Sequence, residues 1–167
     1  KMYAIGLMDN FSNTSGYASL VKKILPRLKL KVFGGLIMEP PSGGVNLENV
    51  KVALNYSYFK NDGAKFISFP THHTRYVAKI EKRKKSYVKK CFYVPNVGPT
   101  KETKEILKLI AKNKLVLNTG HLSDEETINL VRAAKKMGVK KILVPSNTFN
   151  EKTIYKLKKF KVKFEFS

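Results

Sequence analysis

The chain contains 167 residues, of which 43% are hydrophobic and 27% charged, and it carries a formal net charge of +21. This length suits one domain with a sizeable core, and the apolar fraction is too high for a disordered chain. No apolar run approaches the ~20 residues of a membrane span, and one cysteine excludes both a disulfide framework and a cysteine-rich zinc module. We therefore expect a single domain over residues 1–167, located in the cytoplasm and not in a membrane.

The net charge is the most unusual property of the composition. The chain has 33 Lys and Arg residues against 12 Asp and Glu residues, and its pI is near 10.0. Repulsion on this scale destabilises a compact protein unless counterions or a polyanion screen it. A generally lysine-rich composition would explain the preference for Lys over Arg, but not the scarcity of Asp and Glu. The charge therefore predicts a polyanionic partner.

Short apolar runs alternate with amphipathic segments along the chain. In chain order, the first half of the chain is predicted to form a strand at 3–8, a helix at 15–28, a strand at 31–38, a helix at 47–60 and a strand at 64–70. A long basic segment follows at about 71–99. The remaining patterns predict a helix at 101–114, a strand at 115–120, a helix at 124–137, a strand at 141–145, a helix at 151–160 and a strand at 162–166. Helix starts are marked by Asn46 and Thr100, and also by Ser123, which forms a capping-box pattern with Glu126. The first run has the composition of a buried strand.

Strands that alternate with helices predict an α/β fold built from βα units around a parallel sheet. Six strands suffice for most of an eight-stranded barrel or, alternatively, for an open doubly wound sheet. An incomplete barrel has two free sheet edges, and such edges pair readily with another chain. We therefore expect a protein partner or self-association at these edges, unless the segment at 71–99 covers them.

All three histidines of the chain follow predicted strands. His72 and His73 come after the third strand, and His121 comes after the fourth. Ligands and catalytic groups gather at the carboxyl ends of the strands in parallel α/β folds. Neutral imidazoles at this edge would hold one divalent metal, either zinc, manganese or iron. The spacing contains no helical zinc motif, however, and by itself it favours histidines that make local hydrogen bonds in turns.

Two basic segments predict a nucleic-acid interface. The cations of the first are Lys79, Lys82, Arg83, Lys84, Lys85, Lys89 and Lys90, and those of the second are Lys152, Lys156 and Lys159. Lysines at this density can follow a phosphate backbone, and the interleaved Tyr76, Tyr87, Phe92 and Tyr93 are suited to stacking on unpaired bases. Alternatively, these aromatic residues pack a long loop onto the sheet. Cys91 lies within the first segment and is interpreted as an ordinary packing residue.

Several motifs are distributed over almost the whole chain. They are Val32-Phe33-Gly34-Gly35-Leu36, Gly43-Gly44-Val45-Asn46, Phe69-Pro70-Thr71-His72-His73, Thr119-Gly120-His121-Leu122-Ser123-Asp124-Glu125-Glu126 and Gly138-Val139-Lys140-Lys141-Ile142-Leu143-Val144. Together they resemble an uncharacterised branch of the amidohydrolase-like TIM barrels, and the segment around His121 is the most specific part. The resemblance implies an incomplete TIM barrel with metal-dependent hydrolase ancestry, in which His72, His73 and His121 are the candidate metal ligands.

The chain also departs from this family. The Asp-x-His-x-His strand that opens the family is absent, and the chain begins at what resembles the second strand. Asp9-Asn10-Phe11 stands where the family tends to have Lys-Asn-His, and Pro145-Ser146-Asn147 stands where it tends to have a Thr-His pair. These departures indicate a truncated barrel with a depleted metal site. In a surviving enzyme Asp9 would act as a general base; otherwise its carboxylate caps a turn with Asn10 and Ser12.

Two main functional hypotheses follow from the sequence, beside a third possibility, an inert structural subunit whose charge is only compositional. The first is a basic, non-catalytic RNA-binding or ribonucleoprotein domain, a pseudoenzyme without a cofactor. The second is a divergent metal-dependent hydrolase that acts on an anionic small molecule, drawn in by the positive field of the protein. The two hypotheses differ in whether a divalent metal binds at the histidines.

Overall fold

The computed structural model describes residues 2–146 and 148–166, which form alternating strands and helices. The strands are β1 (Ala4–Leu7), β2 (Lys31–Ile37), β3 (Phe66–Ser68), β4 (Val116–Asn118), β5 (Lys141–Pro145) and β6 (Lys163–Glu165). The helices are α1 (Ser15–Ile24), α2 (Leu47–Asn55), α3 (Arg75–Ile80), α4 (Lys85–Lys90), α5 (Lys101–Lys112), α6 (Asp124–Lys136) and α7 (Glu151–Lys158). A short 3₁₀ turn at Pro40–Ser42 follows β2.

The six strands form one parallel sheet in the order β1-β2-β3-β4-β5-β6, curled into a half-barrel. Each strand is connected to its neighbour in the sheet by a right-handed crossover, and every crossover moves across the sheet in the same direction. The connecting helices therefore lie on one face of the sheet. In agreement, α2 packs on α5, α5 on α6, and α6 on α7. The prediction of an incomplete, barrel-like α/β fold is confirmed. The doubly wound alternative does not apply, because that fold requires the strand order to reverse.

The core lies between the sheet and the helices. Leu36, Ile67, Leu117 and Ile142 are aligned on four neighbouring strands and are at most 3% exposed. Because side chains alternate between the two faces of a strand, this row points toward the helices. The helices cover it with apolar side chains, including Ile106, Leu107, Ile110 and Leu130, all of which are fully buried.

Local capping signals fix where several helices begin. The side chain of Asn46 accepts a hydrogen bond from the backbone of Asn49, and Thr100 does the same for Thr103. Ser123 and Glu126 form the predicted capping box at the start of α6. These starts were predictable because a cap depends on residues only two or three positions apart.

Two helices end well before the position that the sequence pattern predicts, whereas the other predicted helix ends agree with the structure to within two residues. Helix α1 stops at Ile24, two residues before Pro26, and α2 stops at Asn55 instead of continuing to residue 60. Proline disfavours the helical conformation of the residue before it, which explains the end of α1. Beyond α2, the carbonyl of Ala53 accepts a hydrogen bond from the backbone of Ala64, so the chain turns back into the sheet at this point.

Strand β1 is exposed, contrary to the prediction of a buried strand. Ala4, Ile5 and Gly6 are all exposed, and Ile5 is 37% exposed. The reason is position: β1 is an edge strand, and α1 packs mainly on β2. An exposed edge of this kind is the feature from which self-association or a protein partner is predicted, and that prediction remains open.

The helices are all short. Within the described residues, none combines the length and the apolar character that crossing a bilayer requires.

Candidate functional site

The carboxyl ends of the strands surround a cavity of about 370 Å³, which we call the mouth cavity. Its polar lining consists mainly of Thr71 after β3, Asn118 and His121 at and after β4, and Glu165 on β6. Apolar side chains, among them Met8 and Phe149, complete the wall. Polar groups in an otherwise apolar concave site are typical of ligand-binding pockets in α/β proteins.

A buried carboxylate organises the loop after β3. Glu39 follows β2 and is only 3% exposed. Its Oε1 accepts hydrogen bonds from the backbone N–H groups of Thr71 (2.7 Å) and His72 (2.6 Å), and its Oε2 accepts one from His73 (3.1 Å). The hydroxyl of Thr71 also donates to Oε1, at 3.0 Å. Because an ionised carboxylate only accepts hydrogen bonds, this set of donors suits the charged form of Glu39.

The turn that presents His121 requires a glycine. Gly120 has a φ of +67°, and a Cβ at this position would lie 2.2 Å from the carbonyl oxygen of Pro70. The same carbonyl accepts a hydrogen bond from the backbone of His121, and the hydroxyl of Thr74 donates to the carbonyl of His121. The backbone of His121 is therefore held from both sides.

The structure brings together two of the three predicted histidines. The rings of His72 and His121 lie edge to face, with their centroids 6.4 Å apart. His73 instead packs against Tyr87, at a centroid distance of 5.4 Å. Catalytic zinc sites typically use three protein ligands. Across residues 2–146 and 148–166, no cluster of three or more His, Cys, Asp or Glu side chains has the geometry to hold a metal ion. The described donors therefore do not make a complete zinc site.

The surroundings of His121 favour its neutral form. Desolvation by its neighbours and the positive charge of His72 lower the pKa of His121, although His121 is an exposed residue. Three groups raise the pKa of His121 without reversing the shift: the backbone of Thr71 and the carboxylates of Glu165 and Glu39. A neutral imidazole is able to accept a proton or to bind a cation.

Asp9, the predicted general base, is held in a turn. Its Oδ1 accepts a hydrogen bond from the backbone of Phe11 (2.9 Å), and its Oδ2 accepts one from the hydroxyl of Ser12 (2.6 Å). These bonds lower the pKa of Asp9, which makes its carboxylate a weaker base. The geometry fits the turn-capping alternative.

Sequence reasoning missed a polar pair on the concave face of the sheet. Asn118 is buried, and its amide lies 3.3 Å from Oε2 of Glu165. Only the pairing of β4, β5 and β6 brings these residues near each other. The one feature of the sequence that pointed to this pair was Asn118, a polar residue at the carboxyl end of an otherwise apolar strand. Of the motif Pro145-Ser146-Asn147, the last residue lies outside the described residues.

The predicted nucleic-acid-binding cations are all exposed. The first group lies on α3, α4 and the turn between them: Lys79, Lys82, Arg83, Lys84, Lys85, Lys89 and Lys90. The second group lies on and directly after α7: Lys152, Lys156 and Lys159. Within the described residues, Arg83 is the only one of these ten that forms an ion pair, with Glu81 at 2.9 Å.

The two basic groups occupy different parts of the surface. Ile80 and Glu81, at the end of α3, line the mouth cavity, so the first group lies beside the mouth. Helix α7 connects two parallel strands and therefore runs antiparallel to them. Lys152 is consequently near the mouth, whereas Lys159 is at the opposite end of the sheet. The structure does not join the two groups into one continuous patch at the mouth.

The aromatic residues of the first basic segment have different roles. The ring of Phe92 stacks on buried Phe69, with centroids 5.0 Å apart, and thus anchors the segment to the core. Tyr87 and Tyr93 are 41% and 38% exposed. The guanidinium of Arg75 lies over the ring of Tyr93, at 3.5 Å from its centroid. The packing alternative thus applies to Phe92, while the two tyrosines are available at the surface.

Cys91 is a packing residue, as the sequence predicts. It is 3% exposed, and burial raises the pKa of its thiol. A thiol with a raised pKa is a poor nucleophile at neutral pH.

Comparison with known proteins assigns the chain to a family. The family model that matches is DUF6282, described as a family of unknown function, and it covers residues 1–162. The chain belongs to this family. Comparison with curated proteins and with solved structures finds no match. The family assignment leaves both the amidohydrolase-like resemblance and the activity open, so the functional argument depends on the residues themselves.

Proposed function

We propose that this protein is a basic, non-catalytic RNA-binding domain of the cytoplasm that functions within a ribonucleoprotein. The observation that carries the proposal is the seven exposed cations on α3, α4 and the turn between them, of which one is paired with a carboxylate. Cations that the protein does not neutralise internally are available to phosphate groups, which supply most of the affinity in RNA binding.

The aromatic surface next to these cations supports single-stranded RNA as the ligand. Tyr87 and Tyr93 are both exposed, and Tyr93 already carries the stacked guanidinium of Arg75. Unpaired bases stack on tyrosine rings and on guanidinium planes, whereas bases in a duplex are not accessible for this contact.

Salt dependence of binding tests the proposal. The variant Lys82→Gln/Lys84→Gln/Lys85→Gln removes three charges beside the mouth. Its matched control is Lys104→Gln/Lys136→Gln/Lys140→Gln, which removes three exposed charges elsewhere. Binding of a fluorescent single-stranded RNA is measured by anisotropy over a range of salt concentrations. Each lysine that contacts a phosphate contributes about 0.7 to the slope of log K against log salt, so the first variant should reduce the slope by about 2.

The control variant should keep the slope of the parent protein. Equal reductions in the two variants would show that only the total charge matters, and this result would contradict an interface on α3 and α4. Salt-independent binding would contradict the RNA proposal altogether.

The second candidate is a divergent hydrolase, and one observation favours it. His121, whose lowered pKa favours the neutral imidazole, lies at the mouth cavity with His72 beside it. If a divalent ion binds to this chain, these two residues are the pair that would hold it, and the bound ion would supply a Lewis acid.

Metal content tests this candidate. The protein is washed in high salt, loaded with zinc or manganese, desalted and analysed by mass spectrometry. A hydrolase site predicts about one equivalent of metal, lost in His121→Asn and retained in the matched control His73→Asn. Metal below stoichiometry in the parent protein would contradict the candidate.

A further inference from the structure

A second cavity lies at the end of the sheet opposite the mouth. It has a volume of about 1080 Å³ and is formed by residues at the amino ends of β2, β3, β4 and β5 and by the ends of α1, α2 and α5. We call it the lysine cavity, because seven lysines line it. Three of them, Lys22, Lys51 and Lys112, belong to the helices.

The other four lysines are Lys31, Lys65, Lys114 and Lys141, at strand starts and in the adjoining loops. Lysine is common in the last turn of a helix because its charge interacts favourably with the terminal carbonyl groups. That preference accounts for Lys22 and Lys112, which lie near the ends of α1 and α5. It does not account for the four lysines outside the helices. Of these, Lys31 lies over the ring of Tyr3, and Lys141 donates a hydrogen bond to the backbone carbonyl of Lys114, but neither contact neutralises a charge.

Internal partners neutralise only part of this charge. Asp62 pairs with Lys22 at 2.7 Å and with Lys65 at 3.6 Å, and Glu48 pairs with Lys51 at 2.6 Å. Two carboxylates thus serve three of the seven lysines. Within the described residues, the cavity is left with a clear excess of positive charge.

Apolar side chains also line the lysine cavity, and we call this part of its wall the floor. Phe33, Leu54, Leu115 and Val116 contribute to it, and Phe33 is half-buried. Asn55, Asn61 and Asn113 also line the cavity. The amide groups of Asn55 and Asn113 each donate one hydrogen bond to a helix carbonyl, at 2.9 Å, so their oxygens and their second N–H groups are the parts available to a ligand. A ligand that fits must carry several negative charges to match the lysines. It must also have a flat or apolar part with hydrogen-bonding edges that packs on the floor.

We propose that the lysine cavity binds a nucleoside polyphosphate. The lysines of the cavity bind the phosphate groups, because an ammonium group is a compact positive charge that attracts phosphate. The base packs on the apolar floor near Phe33, and asparagine amides, which both donate and accept hydrogen bonds, meet its polar edge. This site is separate from the mouth cavity, and the proposal does not depend on RNA binding by α3 and α4.

Isothermal titration calorimetry on the nucleic-acid-free protein tests the proposal at physiological salt. The titrants are ATP, inorganic tripolyphosphate and adenosine. We expect one ATP per chain, bound more tightly than either of the other two. Lys112→Gln/Lys114→Gln should weaken ATP binding by about tenfold for each lysine that contacts a phosphate. The matched control is Lys136→Gln/Lys140→Gln, which removes two exposed charges at the same end of the molecule.

Three results would overturn the proposal. The first is the absence of ATP binding, and the second is equal weakening in the two variants, which would indicate attraction by overall charge. The third is equal affinity for ATP and tripolyphosphate, which would show that the floor does not hold the base. Lys82→Gln/Lys84→Gln/Lys85→Gln should leave ATP binding unchanged, so failure of this proposal and failure of the RNA proposal are distinguishable.

Discussion

Replacing Glu39 with glutamine tests whether this buried carboxylate holds the loop that carries His72 and His73. In Glu39→Gln an amide NH₂ takes the place of one carboxylate oxygen. If it takes the place of Oε2, it faces the N–H of His73, so one hydrogen bond is lost and two donors oppose each other. The remaining bonds to the backbone of Thr71 and His72 lose the charge that strengthens them.

The expected magnitude follows from these contacts. A hydrogen bond to a charged group contributes about 1.5–3 kcal/mol, and weakening of the other bonds adds to the loss, so Glu39→Gln should lower the free energy of unfolding by about 2–4 kcal/mol. Urea denaturation followed by circular dichroism measures this change. The matched control is Glu48→Gln, which removes the same charge from an exposed side chain that forms an ion pair with Lys51. The control should change the free energy of unfolding by no more than about 0.5 kcal/mol.

A loss below about 0.5 kcal/mol in Glu39→Gln would refute the reasoning, because surface substitutions also fall in that range. Equal losses in the two variants would also refute it, since they would assign the effect to net charge and not to the loop.

Four further outcomes are expected. Because burial raises the pKa of Cys91, its thiol should react slowly with a disulfide reagent in the native protein and rapidly in urea; equal rates would contradict its burial. The lowered pKa of His121 should appear as an NMR titration midpoint below the ordinary value of about 6.5. The stability that His121 contributes is then fully present above pH ~6.5 and is lost as the pH falls toward the folded-state pKa of His121. The free energy of unfolding, measured over this pH range, should therefore depend less on pH in His121→Asn than in the parent protein. Gly34→Ala would place a Cβ 2.2 Å from the carbonyl oxygen of Thr14, and urea denaturation should show a loss of about 3 kcal/mol or more.

The elements that were predictable from the sequence are those specified by local patterns. The capping box of Ser123 and Glu126 spans three residues, and the strand at Lys141–Pro145 is an uninterrupted run between a helix stop and a polar turn. The exposure of β1 was not predictable in this way. Its residues have a strand-like, largely apolar composition, but burial depends on whether another element covers the strand.

The candidate sites were predictable only in part, for a similar reason. His72 and His121 were expected at one sheet edge because they follow neighbouring strands. The divergence of His73 toward Tyr87 depends on the fold of the 71–99 segment, where the sequence pattern did not resolve α3 and α4. The pairing of Glu39 with the loop after β3 joins residues more than thirty positions apart, and no local pattern reports such a contact.

The lysines of the chain show why a charge count predicts a partner class but not a binding site. The net charge treats all 33 cations as equivalent. The fold separates them by place: Lys84 lies beside the mouth, and Lys114 lines the lysine cavity with six other lysines, although both side chains are exposed. Seven lysines share the lysine cavity with two carboxylates, so repulsion among them is greater than around an isolated surface lysine, although salt reduces it. A polyanion bound there would turn this repulsion into attraction and stabilise the fold by mass action. If a polyanion binds at the lysine cavity, the free energy of folding and the free energy of anion binding are coupled at this site.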